Sequence, residues 1–451
     1  MLPPIKYVYT LAFLAVLAHG APVGDSAADN LAREEIGSFV RSPTTSSPSP
    51  PSATVPPASD DPNYQAYPPG TSGPAEPIRG SLGAAILGPQ NLPIQQQNPD
   101  VVAPPSTDSG DVPNAKWPFA LSNTHFYTGG WARIQNADVM PIATKMAGVN
   151  MRLKAGAIRE LHWHQTAEWA YVIRGSTQIT SVDQDGRNYV AVVNAGDLWY
   201  FPPGIPHSLQ ATADDPDGSE FLLVFPDGNF NSASSFQVTD WLSHVPKEVI
   251  AKNFQQSIAA FDQIPSRQLY IFPSEPPTSD AAPSDPQGQV PDPFSFPLSK
   301  VNATKLSGGT VKIVDSTIFK ISTRIAVADV TVEPGALREL HWHPTQDEWL
   351  YVLEGNARMT IFAADSNART FDYQGGDVGY VPAGFGHYIE NTGNTTLHFL
   401  EIFDTDRFQD VSLTQWLALT PPEIVSASLG ISDEVIATFS KTKQVVVGPA
   451  T

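Results

Sequence analysis

Gly156 to Glu168 reads Gly-Ala-Ile-Arg-Glu-Leu-His162-Trp-His164-Gln-Thr-Ala-Glu168, and the stretch recurs as Gly335-Ala-Leu-Arg-Glu-Leu-His341-Trp-His343-Pro-Thr-Gln-Asp-Glu348. Each copy is followed by one more histidine, His207 or His387, in a Pro-x-Gly-x-x-His turn. Six of the ten histidines fall in this pattern. The offset is 179 for the first histidine (162 to 341) and 180 for the third (207 to 387), so a whole structural unit is repeated. On a strand, residues i and i+2 share a face, which projects His162 with His164, and His341 with His343, into one space. Glu168 or Glu348 opens the next strand, and the turn returns the third histidine. Three imidazoles and a carboxylate, with no sulfur, leave two positions open on a six-coordinate ion. Mn(II) or Fe(II) fits that set ahead of Zn or Cu.

The surrounding pattern is short β-rich runs broken by Gly, Pro, Asn and Asp. In the first copy these are Glu168–Ile173, Thr177–Val182, Tyr189–Val193, Leu198–Phe201 and Glu220–Phe225. Their spacing predicts an all-β sandwich or barrel. Gly129-Gly130 matches Gly308-Gly309, and Asp240-Trp241-Leu242 matches Gln415-Trp416-Leu417. A helix is expected after each Trp-Leu, over Lys247–Phe261 and Pro422–Phe439. A Pro-rich connector, Pro273–Pro297, separates the copies.

A length of 451 residues suits two such domains with appendages. The formal charge of −20 argues against nucleic acid and anionic membrane surfaces as partners. Residues 1–20 read as a secretory signal peptide: Lys6 is followed by a mostly apolar run, Tyr7 to Leu17, and then Ala18-His19-Gly20. That run is too short for a membrane span. Cysteine is absent, so no disulfide framework exists, and Asn302 and Asn394 lie in N-glycosylation triplets. Pro43 to Pro77 holds 11 prolines and no apolar period, which predicts a linker without a core. The expected organisation is a signal peptide (1–20), a Pro/Ser-rich disordered segment (21–76), a first domain with its arm (77–268), and a second with linker and C-terminal helices (269–451).

Three further features surround the ligand sets. Arg159 and Arg338 lie three residues before the first histidine of each copy. Facing inward, each would grip a small carboxylate; facing outward, each would pair with a neighbouring acid. Strand parity places them opposite the histidines unless a bulge intervenes, so spacing leaves both readings open. Glu401, 14 residues after His387, lies in an apolar strand, where it serves either as a proton donor or base, or as a partner for an arginine. The same offset in the first copy lands on Phe221. Finally, His207 to Trp241 spans 34 residues and His387 to Trp416 spans 29, which puts five extra residues around Pro226–Ser235 as a candidate lid.

The motifs Gly-x5-His-x-His-x3/4-Glu-x6-Gly and Gly-x5-Pro-x-Gly-x2-His-x3-Asn resemble those of the cupins, with Ala211 where the closing Asn is usual in the first copy. The duplicated arrangement, from about Pro77 to the C-terminus, resembles the bicupin oxalate decarboxylase and oxidase family. The resemblance implies two tandem double-stranded β-helix (jelly-roll) barrels with flanking C-terminal helices. It also implies one Mn(II) per domain, held by His162, His164, Glu168, His207 and by His341, His343, Glu348, His387. Oxalate would bind the metal, with Arg159 and Arg338 stabilising its charge, and helical arms would join copies into a homo-oligomer. In the decarboxylase reaction, dioxygen assists formation of an oxalate radical that loses CO2, and a carboxylic acid protonates the remainder to formate. In the oxidase reaction, both carbons leave as CO2 and hydrogen peroxide forms.

Decarboxylases of this family carry a lid glutamate in a Ser-Glu-Asn-Ser-like segment. Here the matching stretch is Asn231-Ser232-Ala233-Ser234, with Ser232 in place of the acid. A serine hydroxyl is a poor general acid. Either Glu401 delivers the proton in the second domain, or the enzyme is an oxidase. The leading reading is a secreted Mn-dependent oxalate decarboxylase, with oxalate oxidase as the alternative. A storage-type bicupin is disfavoured by two complete ligand sets, and a flavonol-type dioxygenase by the two arginines.

Overall fold

The structure, a computed structural model, describes residues 58–67 and 73–449. The expected signal peptide lies outside the described residues, as does most of the Pro-rich segment.

Two barrels of the same construction follow one another. Each is a pair of facing sheets, one of six strands and one of seven, that do not join into a single hydrogen-bonded cylinder. In the first barrel the six-stranded sheet is centred on His207–Ala211 and Ile158–His164. Its seven-stranded sheet is centred on Glu168–Arg174 and Ser219–Phe225. The second barrel repeats this with Gly386–Asn391 and Leu337–Trp342, and with Glu348–Glu354 and Leu397–Phe403. The expected strands are present, each within one residue at either end.

The near-continuous apolar character of Glu168–Arg174 and Glu348–Glu354 has a physical reason: both faces of each strand are buried. Ala170 and Val172 pack inside the first barrel and Leu350 and Val352 inside the second. The alternate residues, Trp169, Tyr171, Trp349 and Tyr351, meet in a third core between the barrels. There Gly148 is required by space, since a Cβ on it would lie 2.2 Å from the Trp349 ring. The barrels also exchange edge strands. Lys116–Pro118, ahead of the first barrel, pairs with Asp377–Val381 of the second; Ser295–Phe296, ahead of the second, pairs with Leu198–Phe201 of the first.

Two expectations are corrected. Each predicted helix is broken into pieces. Lys247–Phe254 ends where Gln255 takes a left-handed φ of 54°, and only a short 3-10 turn, Ile258–Phe261, follows. Pro422–Leu429 ends at Gly430 (φ 69°), ahead of the short helix Asp433–Ile436. The end of the Pro-rich segment also carries packed structure. Asp61 is buried and accepts from the backbone N–H groups of Asn63 and Ser106, and Gln65 donates to Glu390 on the second barrel at 2.8 Å. Polar anchors dock this stretch, which is why no apolar period announces it.

Candidate metal centres

Inside each barrel the four ligand-type residues converge. His162, His164, Glu168 and His207 have ligand atoms within 4.8 Å of one another, as do His341, His343, Glu348 and His387, and all eight residues are buried. Strand pairing does the assembly: His207 lies opposite His162, and His387 opposite His341.

The imidazoles are set up as neutral ligands. Nδ1 of His162 and His207 donates to the carbonyls of Glu160 (2.6 Å) and Ile205 (2.8 Å). Nδ1 of His341, His343 and His387 does the same to Glu339 (2.7 Å), Gln409 (2.8 Å) and Phe385 (3.0 Å). A carbonyl only accepts, so the proton is on Nδ1 and Nε2 presents a lone pair. Burial, reinforced by Arg159 and Arg338, pushes His162 and His341 well below the usual imidazole range, and burial brings His164 down to about 3. Burial alone would raise Glu168 and Glu348, but the adjacent histidines outweigh it and hold both carboxyls below the usual range. Glu168 Oε2, His207 Nε2, His341 Nε2, His343 Nε2 and Glu348 Oε1 are buried without hydrogen-bond partners. Buried orphan donor atoms aimed at one point fit a cation, and their nitrogen-and-oxygen chemistry fits a divalent first-row ion.

The arginines face inward, and a bulge is the cause. Arg159 pairs with Leu209 and His162 with His207, so three steps on one strand oppose two on the other; Arg338 and His341 repeat the irregularity against Ile389 and His387. The extra residue flips parity and buries both arginines.

Around these arginines the copies diverge. The Arg159 guanidinium lies 3.8 Å from the centre of the Tyr270 ring, and Nη1 donates to Gln237 Oε1 at 3.2 Å. Among the described residues no carboxylate forms an ion pair with it. Arg338 instead meets two, Glu401 Oε1 through Nε at 3.0 Å and Asp410 Oδ2 through Nη2 at 2.8 Å. Lys443 also contacts Asp410. Burial raises Glu401 above the usual carboxyl range despite Arg338, whereas Arg338 and Lys443 outweigh burial at Asp410 and lower it. Arg338 Nη1 and Glu401 Oε2 have no hydrogen-bond partner among the described residues.

The offset that matched Glu401 with Phe221 is corrected. Glu401 pairs with Ala328 and Leu350, and the residue pairing with the equivalent Val149 and Ala170 is Leu223. The turn before this strand is two residues longer in the first barrel, which shifts the count. Only three of the five extra residues therefore lie beyond Phe225. Tyr270, Gln237 and Asp410 arrive from remote segments, and no local spacing marks them. The predicted lid, Asn231–Ser234, is a 3-10 turn with Ser232 exposed.

The cupin family profile matches residues 120–260 and 297–437. The chain is 51% identical to oxalate decarboxylase OxdC of Bacillus subtilis over 82% of its own length and 96% of the relative's. The chain belongs to the bicupin oxalate decarboxylase family. A probable oxalate decarboxylase of Arthroderma benhamiae is 43% identical over 83% of this chain and 93% of the relative. A structure of the B. subtilis OxdC protein, solved in a study of its Mn(II) centres, superposes with a TM-score of 0.80 at 50% identity, covering 83% of this chain and 99% of that one. The chain is accordingly an enzyme of this family, with one His3Glu metal-binding group in each barrel. Among the described residues no helix is long and apolar enough to cross a membrane.

Proposed function

We propose that this protein is a secreted, Mn(II)-dependent oxalate-degrading enzyme of the decarboxylase type, splitting the oxalate monoanion into formate and CO2. The observation that carries the reading is Arg159, a buried guanidinium with no carboxylate partner among the described residues, beside an unsaturated His3Glu donor set. A molecule made of two adjoining carboxylates suits that pair of positions, one for the ion and one for the planar guanidinium. The space enclosed by Arg159, His162, His164 and Glu168 is only about 10 Å3 with Phe230 in place, room for no more than a water, so entry of any substrate requires the Phe230 side to open. Manganese, with dioxygen, would supply charge neutralisation and a one-electron couple. Tyr270 and Gln237 hold the Arg159 fork in place, and the surrounding apolar side chains exclude water. In the second barrel, a substrate on the His341, His343, Glu348 and His387 set would meet Glu401, whose raised pKa keeps a proton available higher on the pH scale than an ordinary glutamate would, and whose unpartnered Oε2 would deliver it to a product formed in that same chamber.

One observation favours an oxidase reading for the first barrel. Its counterpart of Glu401 is Leu223, its lid position 232 is an exposed serine, and among the described residues no acid other than Glu168 lines its chamber. Without an acid placed to protonate carbon, oxalate and O2, with two protons taken up from solvent, would give two CO2 and H2O2. Oxalate turnover by the manganese-loaded chain near pH 4, with formate and peroxide measured together, separates the two. Formate as main product is expected; peroxide without formate would overturn the decarboxylase assignment, and no turnover would overturn both.

Export is supported by the Lys6–Gly20 pattern and by the exposure of Asn302 and Asn394. Association of copies is supported by exposed apolar side chains on the helical arms, Trp241 and Phe254 in one and Trp416 and Leu429 in the other. Size measurement of the intact protein tests the latter.

A further inference from the structure

A phenylalanine lies against a ligand-set histidine in each barrel, and in both one equivalent position holds the loop that carries it. In the first barrel Phe230 is buried, stacked on Phe225 with ring centres 3.5 Å apart, and edge-on to His164 at 5.4 Å. It walls the inner chamber on one side. On the other it borders an outer pocket of about 280 Å3 that His125, Asn136, Asp138 and Ser232 also line. Asn136, itself buried, donates from Nδ2 to the Phe230 carbonyl at 3.1 Å and to Asp138 Oδ2 at 3.2 Å, while its Oδ1 accepts from the Asp138 N–H at 3.1 Å. The next residue, Ala137, donates its N–H to the Gly228 carbonyl at 2.8 Å. Beyond the plug, Ser235 is paired with the His164 strand. Only Asn231–Ser234 lies between these anchors, and that turn is bonded to itself, through Ala233 N–H to Asn231 Oδ1 and Asn231 N–H to Ser234 Oγ.

The second barrel repeats the arrangement with different chemistry. Phe408 lies 5.3 Å from Phe403 and 6.1 Å from His343. Its backbone N–H donates to Asp315 Oδ2 at 3.3 Å. Asp315 follows Gly309–Val314 as Asn136 follows Gly130–Gln135, so the two positions are equivalent. Asp315 also meets Arg407 Nε at 3.4 Å, and Ser316 N–H donates to the Asp406 carbonyl at 2.9 Å. One position thus holds one loop in both copies, by an amide donating to a carbonyl in one and a carboxylate accepting from an N–H in the other. Duplication has kept the contact while the side chain changed.

We propose that Asn136 and Asp315 are positioning residues that latch the phenylalanine plugs, and that the first barrel, held by a neutral amide with fewer ties, is the one that opens more readily to ions and small anions. The inference rests on the metal reading above. The test is manganese release from the full-length loaded chain into excess EDTA at neutral pH, followed as metal retained per chain, with thermal unfolding recorded alongside. The wild type is expected to release two ions in two phases. Asn136→Ala accelerates the faster phase by up to about tenfold, as loss of one ordinary hydrogen bond allows, and leaves the slower one unchanged. Asp315→Ala accelerates the slower phase alone. Asn136→Asp keeps an acceptor for Asp138 but has no hydrogen for Phe230. Its carboxylate faces the Phe230 carbonyl and Asp138 Oδ2, so it lowers the unfolding temperature and releases at least as fast as the alanine variant in the faster phase alone, which a general loss of stability would not produce, and it carries the test if the alanine variant fails to fold. Release traces of Asn136→Asp that superpose on wild type, or that speed both phases equally, overturn the latch. A wild-type chain that retains no manganese overturns the metal reading and the latch with it.

Discussion

Replacing each buried arginine by glutamine should give opposite phenotypes, although the two occupy equivalent places. Arg338 balances Glu401 and Asp410 at 3.0 and 2.8 Å, with all three side chains buried. Removing it leaves two carboxyls without their main counter-charge, a change that costs about 3–5 kcal/mol. Lys443 still compensates Asp410, and Glu401 can take up a proton, so the lower end applies. Arg159 gives up one hydrogen bond to Gln237, a long contact to the Tyr270 carbonyl and its stacking on the Tyr270 ring, about 1 kcal/mol each, and its removal relieves a desolvated charge that offsets these losses. Arg159→Gln should therefore unfold close to the wild-type temperature. Its cost falls on turnover: two charge-assisted hydrogen bonds to a carboxylate amount to roughly 3–5 kcal/mol, or about 10²- to 10⁴-fold in kcat/KM. Thermal unfolding and oxalate kinetics on both variants decide the matter. If Arg338→Gln is as stable as Arg159→Gln, the ion-pair account is wrong. If Arg159→Gln keeps full turnover, the first chamber is not where oxalate reacts.

Three further outcomes follow from the same geometry. Ser232→Glu returns an acid to the lid turn and should raise the formate-to-peroxide ratio of the product assay; an unchanged ratio means the lid does not set the outcome. Asp100 is buried on the arm against the second barrel, where burial, with Asp372 beside it, pushes its pKa up to about 7. The folded state then holds a proton that the unfolded state loses above about pH 4, so this group lowers stability as pH rises from about 4 to 7. Asp100→Asn should flatten that part of a melting-temperature profile, and an unaltered slope would show the acid is not strained. Gly148→Ala would drive a methyl into the Trp349 ring and should cost about 1–3 kcal/mol in denaturant unfolding; a neutral result would mean that the two barrels can shift apart without penalty.

The metal shells were legible in the sequence because their geometry is local. Two residues on one strand, the first of the next, and a turn-borne third histidine need only strand parity and a glycine turn to be assembled. The arginines were ambiguous because parity gave the wrong side, and the bulge that corrects it is a property of two strands in register. Counting failed at Phe221 for a similar reason: a turn two residues longer moves the residue index but not the sheet position, which belongs to Leu223. Tyr270, Val445, Ser235 and Asp410 were invisible, since their relation to the arginines comes only through pairing with the histidine strands from far along the chain.

Those remote pairings are where duplication has produced two different sites from one ligand set. Four positions surround the arginine in each barrel, and all four differ: Leu223 against Glu401, Ser235 against Asp410, Gln237 against Ser412, and Tyr270 against Val445. The first set is uncharged and gives the guanidinium an aromatic face, so its positive charge is left for an incoming anion. The second set spends that charge on two carboxylates and gains a buried acid whose proton is held unusually high on the pH scale. An anion entering the second chamber must compete with Glu401 and Asp410 for Arg338, whereas one entering the first meets Arg159 unopposed. The physical difference between a chamber with an unopposed guanidinium and one with a buried acid is therefore written outside the histidine motif, in residues that the strand register brings to it.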